Sequence, residues 1–294
     1  MSSQGNQISL GRRISRSLQR ELWEHRSIYI APLAAAVLFL FGFLIRMISP
    51  DKIHALSALN ASQHLKETAQ PYDFAAGLIM ATTFVIAVIY SLDALYGERR
   101  DRSILFWKSL PVSDLSTVLS KASIPIVILP LVTFAITVVT QLLMLLLNSL
   151  AIVSSDLSIA TLWTQTSLFH RWFILFYHLI TIHALWYAPI FGWLLLVSAW
   201  ARRAPFLWAA LPLIAIGYVE KIAFNTTHFV AMLQSRMNGG AEGDVFLPGT
   251  VSMNPLMHIT PGNFMISPGL WVGLSLTALF LAAAVRLRRN RGPI

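Results

Sequence analysis

The sequence contains no cysteine and few charged residues. Of the 294 residues, 12% are Asp, Glu, Lys or Arg, whereas 56% are hydrophobic. Without cysteine the chain forms no disulfide and offers no thiolate to a metal ion. Soluble domains carry roughly 25% charged residues, so this chain has too little polar surface to cover a globule in water. We expect lipid to cover the remainder.

The sequence also lacks the common motifs of nucleotide-binding proteins and hydrolases. It contains no G-x-x-x-x-G-K-[ST] phosphate loop, no G-x-S-x-G nucleophile elbow and no H-E-x-x-H zinc motif. His178 and His183 are five residues apart, which places them about 140° apart on an α-helix and argues against a shared metal ion. The sequence therefore predicts that this chain is not an enzyme by itself, with no catalytic residue, metal site or cofactor of its own.

Long apolar runs are abundant. A helix needs roughly 20 apolar residues to cross the hydrocarbon core of a bilayer. Six stretches are about this long or longer: Ile28–Ile48, Phe74–Leu95, Ser123–Leu147, Trp172–Trp200, Phe206–Phe224 and Gly269–Val285. The sequence predicts an all-α integral membrane protein with six transmembrane helices. Residues 28–294 would form the membrane domain, in which the fourth helix is long enough to tilt and residues 225–268 form an outer loop.

The distribution of positive charge predicts the orientation. Lys and Arg are retained on the cytoplasmic side of a membrane. With the N-terminus inside, 16 of the 22 basic residues fall on internal segments: Arg12, Arg13, Arg16, Arg20, Arg26, Arg99, Arg100, Arg102, Lys108, Lys121, Arg202, Arg203, Arg286, Arg288, Arg289 and Arg291. Both termini are thus expected in the cytoplasm of a bacterium, with the chain in its inner membrane. The net charge of +9 is explained by topology, and we expect no nucleic-acid partner.

Residues 1–27 have an amphipathic pattern. Apolar residues recur every fourth position, and arginines fall on the opposite side of a helix: Leu10, Ile14, Leu18 and Leu22 against Arg12, Arg13, Arg16 and Arg20. This pattern is typical of an interfacial helix that turns its arginines toward anionic lipid. A simple positively charged topology anchor explains the same arginines, and the two interpretations are compatible.

Residues 96–121 follow the second apolar stretch and change character along their length. A charged cluster precedes an apolar tetrad and a helix-breaking proline: Glu98, Arg99, Arg100, Asp101, Arg102 and Ser103, then Ile104, Leu105, Phe106, Trp107 and Lys108, then Pro111. Ser113 or Asp114 can cap the next helix. Four consecutive apolar residues cannot all face one surface, so either a partner protein covers part of this short helix, or its aromatics lie in the lipid headgroups.

The stretch from Leu95 to Lys121 resembles the loop between the second and third spans of type-2 ATP-binding-cassette (ABC) exporter permeases. The matching positions are Glu98-Arg99, the short helix Ser103–Leu110, Pro111-Val112-Ser113 and the basic Lys121. The resemblance implies that the helix couples this chain to two copies of a separate ATPase subunit, which carry ATP and Mg. It also implies a second permease copy, in a homodimer or a heterodimer, and an amphipathic N-terminal helix before six spans.

Polar residues in or near the predicted spans mark candidate positions on a substrate path: Gln141, His178, His183, Tyr187 and Glu220. Packing or an interfacial position explains the same residues without a path. Asp93 is expected to pair with the nearby Arg99–Arg102 cluster. The apolar composition favours a hydrophobic or amphiphilic substrate. Two rival hypotheses are an integral-membrane enzyme acting on lipid through His178, His183 and Glu220, and a membrane scaffold without transport.

Overall fold

The computed structural model describes residues 18–48, 61–103, 113–152, 168–237 and 261–290. Every regular element in these ranges is helical. Six helical segments are long and apolar enough to cross a membrane, and we number them spans 1 to 6: Ser27–Met47, Gln70–Arg100, Asp114–Leu150, Leu168–Trp186, Pro205–Phe224 and Pro268–Asn290. This confirms the predicted all-α class and the number of spans, and it indicates a multi-pass membrane protein.

Spans 2 and 3 extend beyond their predicted bounds. The helix of span 2 covers Ala61–Asp93 and is followed by the short helix Tyr96–Arg100. Span 3 begins at Asp114, because the Ser113 hydroxyl accepts a hydrogen bond from the Ser116 N–H at 3.2 Å and caps the helix. Its helix Asp114–Ser123 passes through a π-helical turn, Ile124–Ile128, into the helix Leu129–Ile152. Pro125 lies in this turn, where it cannot supply the N–H of an α-helical hydrogen bond.

The long fourth apolar stretch is divided into three parts. The helix Leu168–His178 continues as the π-helix Leu179–Trp186, and a second helix, Ala188–Trp200, follows the junction at Tyr187. Pro189 lies in the first turn of that second helix, where a missing N–H is tolerated. The sequence predicted one overlong helix, whereas the structure breaks it at the π-helical turn.

The core lies around the helix Ala188–Trp200. This helix packs most closely against span 6 and also contacts span 2. Gly192 allows the close approach, since a Cβ built there would lie 3.4 Å from the Thr277 Cα. Span 5 is peripheral, and only its Ala209 is buried. Within the predicted outer loop 225–268, the described residues form two short helices, His228–Met237 and Pro261–Ile266.

Candidate functional site

Charged side chains from four separate parts of the chain meet at one end of the helix bundle. We call Glu21, Glu98, Asp114, Lys121 and Arg288 the ion cluster. Lys121 Nζ lies 2.8 Å from Glu21 Oε1 and 3.2 Å from Glu98 Oε1. Arg288 Nη2 lies 2.9 Å from Glu98 Oε2, and its Nη1 lies 2.6 Å from Asp114 Oδ1. Glu98 thus joins the two cations. The cluster connects the N-terminal helical residues, the short helix Tyr96–Arg100, the start of span 3 and the end of span 6.

Most of the ion cluster is removed from solvent. The side chains of Glu21 and Lys121 are 1% and 2% exposed, and those of Arg288 and Glu98 are 4% and 9% exposed. A buried charge is tolerated when it is paired, and removing one partner typically costs about 3–5 kcal/mol. The cluster therefore holds these four elements in one arrangement, and moving one element would break buried ion pairs to the others.

Glu21 has further partners that keep it ionised. The Tyr90 hydroxyl donates a hydrogen bond to Glu21 Oε2 at 2.8 Å, and Arg20 Nη2 lies 3.3 Å from Glu21 Oε1. Burial raises the pKa of Glu21, but the charge and hydrogen bond of Lys121 and the hydrogen bond from Tyr90 outweigh it. The net pKa lies below the ordinary value. Glu21 is therefore a carboxylate at neutral pH.

The predicted membrane-surface helix is described only in part. Residues 18–24 are helical, and Leu18 and Leu22 are half-buried against the main core cluster of the protein. Arg20 contacts Glu21 and Glu24, while Trp23 is 82% exposed. The other predicted members, Leu10, Arg12, Arg13, Ile14 and Arg16, lie outside the described residues. In the described part, the apolar side of the pattern faces protein.

The short helix Tyr96–Arg100 is also fixed to the end of the helix Ala188–Trp200. Arg99 Nη1 donates hydrogen bonds to the carbonyls of Ala199 at 2.8 Å and Ala201 at 3.0 Å. The Ser198 hydroxyl accepts hydrogen bonds from the backbone N–H groups of Leu95 and Tyr96 at 3.0 and 2.9 Å. The turn that precedes Tyr96 is thus tied to the end of the helix Ala188–Trp200 by backbone and side-chain hydrogen bonds together.

The remaining residues of the predicted coupling segment are near the surface where they are described. Arg100 Nε lies 3.0 Å from Asp101 Oδ1, and its Nη1 lies 3.9 Å from Asp93 Oδ1, which confirms the expected local pairing of Asp93. Arg102 has a positive φ of 58°, and the Ser103 hydroxyl donates to the Glu98 carbonyl at 3.3 Å. Ile104, Leu105, Phe106, Trp107, Lys108 and Pro111 lie outside the described residues.

His178 and His183 are neighbours inside the bundle, and the expectation that they point in different directions is wrong. Their ring centroids are 5.6 Å apart. The 140° separation assumed an α-helix, but the segment from Leu179 is π-helical, so residues five apart lie on nearly the same face. Tyr187 lies next along this face, with its ring centroid 5.4 Å from that of His183.

Gln141 and Glu220 are engaged elsewhere. Gln141 Nε2 donates to the Tyr72 carbonyl at 3.0 Å, and its Oε1 accepts from Trp172 Nε1 at 2.8 Å. Glu220 accepts hydrogen bonds from the Thr226 hydroxyl and the His228 and Phe229 N–H groups at 2.8, 2.7 and 2.9 Å, so it caps the helix His228–Met237. The structure therefore brings together His178, His183 and Tyr187 of the predicted path, and not the other two.

Sequence reasoning missed Glu21, Asp114 and Arg288 as members of the ion cluster, although it selected Glu98 and Lys121. The sequence contained one weak signal of the cluster: Glu21 is an acidic residue in an arginine-rich segment, which suggests a specific cationic partner. No known protein family, curated protein or solved structure matches the chain.

Proposed function

We propose that this chain is the transmembrane subunit of an ABC exporter that moves a hydrophobic or amphiphilic substrate across the bacterial cytoplasmic membrane. In this proposal both termini are cytoplasmic, two permease chains pair, and two separate ATPase subunits dock on residues 96–121. The chain itself performs no covalent chemistry, and ATP and Mg bind to the partner subunits. The ion cluster is the observation that carries the proposal.

The attachment of the helix Tyr96–Arg100 supports a coupling role for this segment. Glu98 contacts Lys121 of span 3 and Arg288 of span 6, and Arg99 contacts the end of the helix Ala188–Trp200. A force applied to the adjacent residues 104–112 therefore reaches spans 3 and 6 and the helix Ala188–Trp200 through short, buried, charge-assisted contacts. Such contacts resist stretching more than exposed ion pairs do.

The N-terminal segment belongs to the same mechanical unit. Glu21 joins Lys121, and the Tyr90 hydroxyl joins Glu21, so residues 18–24 are fixed to spans 2 and 3. Displacement of the loop by a partner would move this helix with the spans. In an exporter this arrangement converts closure of the ATPase dimer into a change of access in the chamber between permeases.

The rival hypothesis of an enzyme acting on lipid has less support. It requires His178, His183 and Glu220 to converge. The Glu220 carboxylate is occupied in capping the helix His228–Met237, and in the described part of the chain neither histidine contacts it. A scaffold without transport remains the second alternative, and it predicts no ATPase partner.

The first experiment is to purify the chain in mild detergent from its native membrane and identify co-purifying proteins by mass spectrometry. We expect a stoichiometric subunit that carries a phosphate-binding loop. A double variant, Phe106→Asp with Trp107→Asp, should lose this subunit and abolish transport while the chain still inserts. Phe106→Leu with Trp107→Leu is the matched control, because it changes the same two positions and keeps them apolar.

Two outcomes would overturn the proposal. A chain recovered alone, under conditions that preserve known membrane complexes, favours the scaffold. A chain that converts labelled lipid to a product favours the enzyme. Full transport by the double variant would remove the coupling role from residues 104–112 even if an ATPase subunit were found.

A further inference from the structure

The two histidines of span 4 form a pair with the dimensions of a metal site. Their ring centroids are 5.6 Å apart, and the rings are inclined at 56°. Two imidazoles that each place a nitrogen about 2.0 Å from one ion have centroids about 5 to 6.5 Å apart, from tetrahedral to linear geometry. The observed separation lies within this range and is compatible with one ion between the rings.

The nitrogen atoms of this pair have unused bonding capacity. The Nδ1 atoms of His178 and His183 are both buried, and neither makes a hydrogen bond within the described residues. His183 is 5% exposed. Buried polar atoms are nearly always paired, and an unpaired one calls for a ligand, water or ion. Here two such atoms belong to neighbouring rings, and both are available as ligands.

The backbone is shaped in a way that creates the pair. In an α-helix, residues five apart are about 140° apart, whereas the π-helix Leu179–Trp186 returns His183 to the side of His178. π-helical turns are rare in proteins, and those that occur frequently lie at functional sites. An ion bound to both rings would stabilise this π-helical register, because the chelate exists only while the register persists.

Among the described residues, the lack of carboxylates near the two histidines favours an ion of low charge. The described part of span 4 contains no Asp or Glu, and the carboxylates of spans 2 and 3 lie toward their ends, at Asp73, Asp93, Glu98 and Asp114. A divalent ion would bring two charges into an apolar interior without an anionic ligand. Met80, which is buried and packs with Leu175 and Leu179, adds a soft thioether to the neighbourhood.

We propose that His178 and His183 bind one monovalent soft cation, Cu(I), across the π-helical turn of span 4. Imidazole nitrogen suits copper, and Cu(I) accepts as few as two ligands, which matches the pair. The site is independent of the proposed export activity, since it needs neither the ATPase partner nor residues 96–121. The proposed copper site gives a role to two histidines that lie outside both the ion cluster and residues 96–121.

The test is Cu(I) binding to the purified full chain. Protein in detergent is incubated with Cu(I) under ascorbate, in competition with a chromogenic Cu(I) chelator, and bound copper is counted by mass spectrometry. We expect one Cu(I) per chain in the wild type. His178→Ala and His183→Ala should each weaken binding by about 100-fold or more, because losing one of two linked ligands removes the chelate. His170→Ala is the matched control, since His170 is exposed on the same span.

X-ray absorption of the copper-loaded wild type keeps the test independent of how the variants fold. Two nitrogen ligands at about 2 Å are expected. Binding that is equal in wild type and His183→Ala, or a first shell made of sulfur alone, would overturn the proposal and assign the copper to methionines. Failure of the wild type to retain Cu(I) against the chelator would overturn it as well.

Discussion

Arg288 in span 6 donates a hydrogen bond of 2.9 Å to Glu98 Oε2, although 190 positions separate the two residues. Glu98 belongs to the short helix Tyr96–Arg100, and its other carboxylate oxygen lies 3.2 Å from Lys121 Nζ. One carboxylate thus receives cations from spans 3 and 6. This shared position makes Glu98 the centre of the ion cluster.

Removing the central cation should destabilise the whole protein. Lys121→Met leaves Glu21 and Glu98 buried without their ammonium partner, and we expect a loss of about 3–5 kcal/mol in the free energy of unfolding. Thermal unfolding in detergent measures the loss. Lys221→Met is the control, because Lys221 is exposed and should tolerate the change. Equal melting temperatures for the two variants would show that the cluster does not stabilise the fold.

The contribution of Glu21 should depend on pH in a defined direction. Its pKa in the folded protein is below the ordinary value of 4.5. A carboxyl with a depressed pKa stabilises the protein fully above its unfolded pKa and loses that contribution as the pH falls through the folded pKa. The melting temperature of the wild type should therefore exceed that of Glu21→Gln at pH 7, and the gap should close below pH 4.5. A gap independent of pH would contradict the assignment of the charge.

Glu220 should order the helix His228–Met237. Glu220→Gln weakens the acceptor for the His228 and Phe229 N–H groups, and Glu220→Ala removes it, so the start of this helix loses its cap. Hydrogen exchange of residues 228–237 should become faster in the order wild type, Gln, Ala. Exchange in the helix Leu129–Ile152 serves as the internal control. Unchanged exchange at residues 228–237 in both variants would exclude the capping role.

Gly273 should tolerate no side chain while Arg236 holds its place. A Cβ at Gly273 would lie 2.6 Å from Arg236 Nη2, which donates to the Gly269 carbonyl at 2.8 Å. Gly273→Ala should displace the guanidinium and cost about 1–3 kcal/mol of stability. Gly42→Ala is the control, because a Cβ there meets no atom within 4 Å; this helical substitution should gain about 0.5–1 kcal/mol.

A double-mutant cycle makes the Gly273 prediction specific to Arg236. In an Arg236→Ala background the added methyl group at position 273 has no guanidinium to displace. Gly273→Ala should then change from a cost to a gain of about 0.5–1 kcal/mol, as expected for Gly42→Ala. An undiminished cost would place the conflict with another neighbour.

Hydropathy predicted the six spans because it is a local property. Twenty apolar residues in a row require lipid or a core wherever they fold. The π-helical segments Ile124–Ile128 and Leu179–Trp186 and the interruption at Tyr187 were not predicted, because they leave no mark in hydropathy. The pairing of Asp93 with Arg100 was also predictable, since the two residues are seven positions apart on adjacent helices.

The ion cluster was not predictable from local pattern, because its contacts join residues far apart in sequence. Lys121 is 100 positions from Glu21, and 69 separate Tyr90 from Glu21. No periodicity specifies which of several acids such a lysine meets. The proximity of His178 and His183 was not predicted for a different reason. The 100° per residue of an α-helix was assumed, whereas this segment is π-helical and turns through a smaller angle per residue. The partners of Glu220 were not predictable either, because the chain reverses at Asn225, and sequence spacing alone does not specify that turn.

The members of the ion cluster leave the ribosome at different times. Glu21, Glu98 and Asp114 are translated before Lys121, and Arg288 follows with span 6. Before span 6 is made, Lys121 can pair with Glu21 and Glu98, but Asp114 lacks its partner Arg288. Dehydrating this unbalanced set is unfavourable, so water stays among these helix ends during synthesis. Arrival of span 6 thus sets the moment at which this end of the bundle closes, and a nascent chain stalled before it leaves Glu98 and Asp114 without their shared guanidinium.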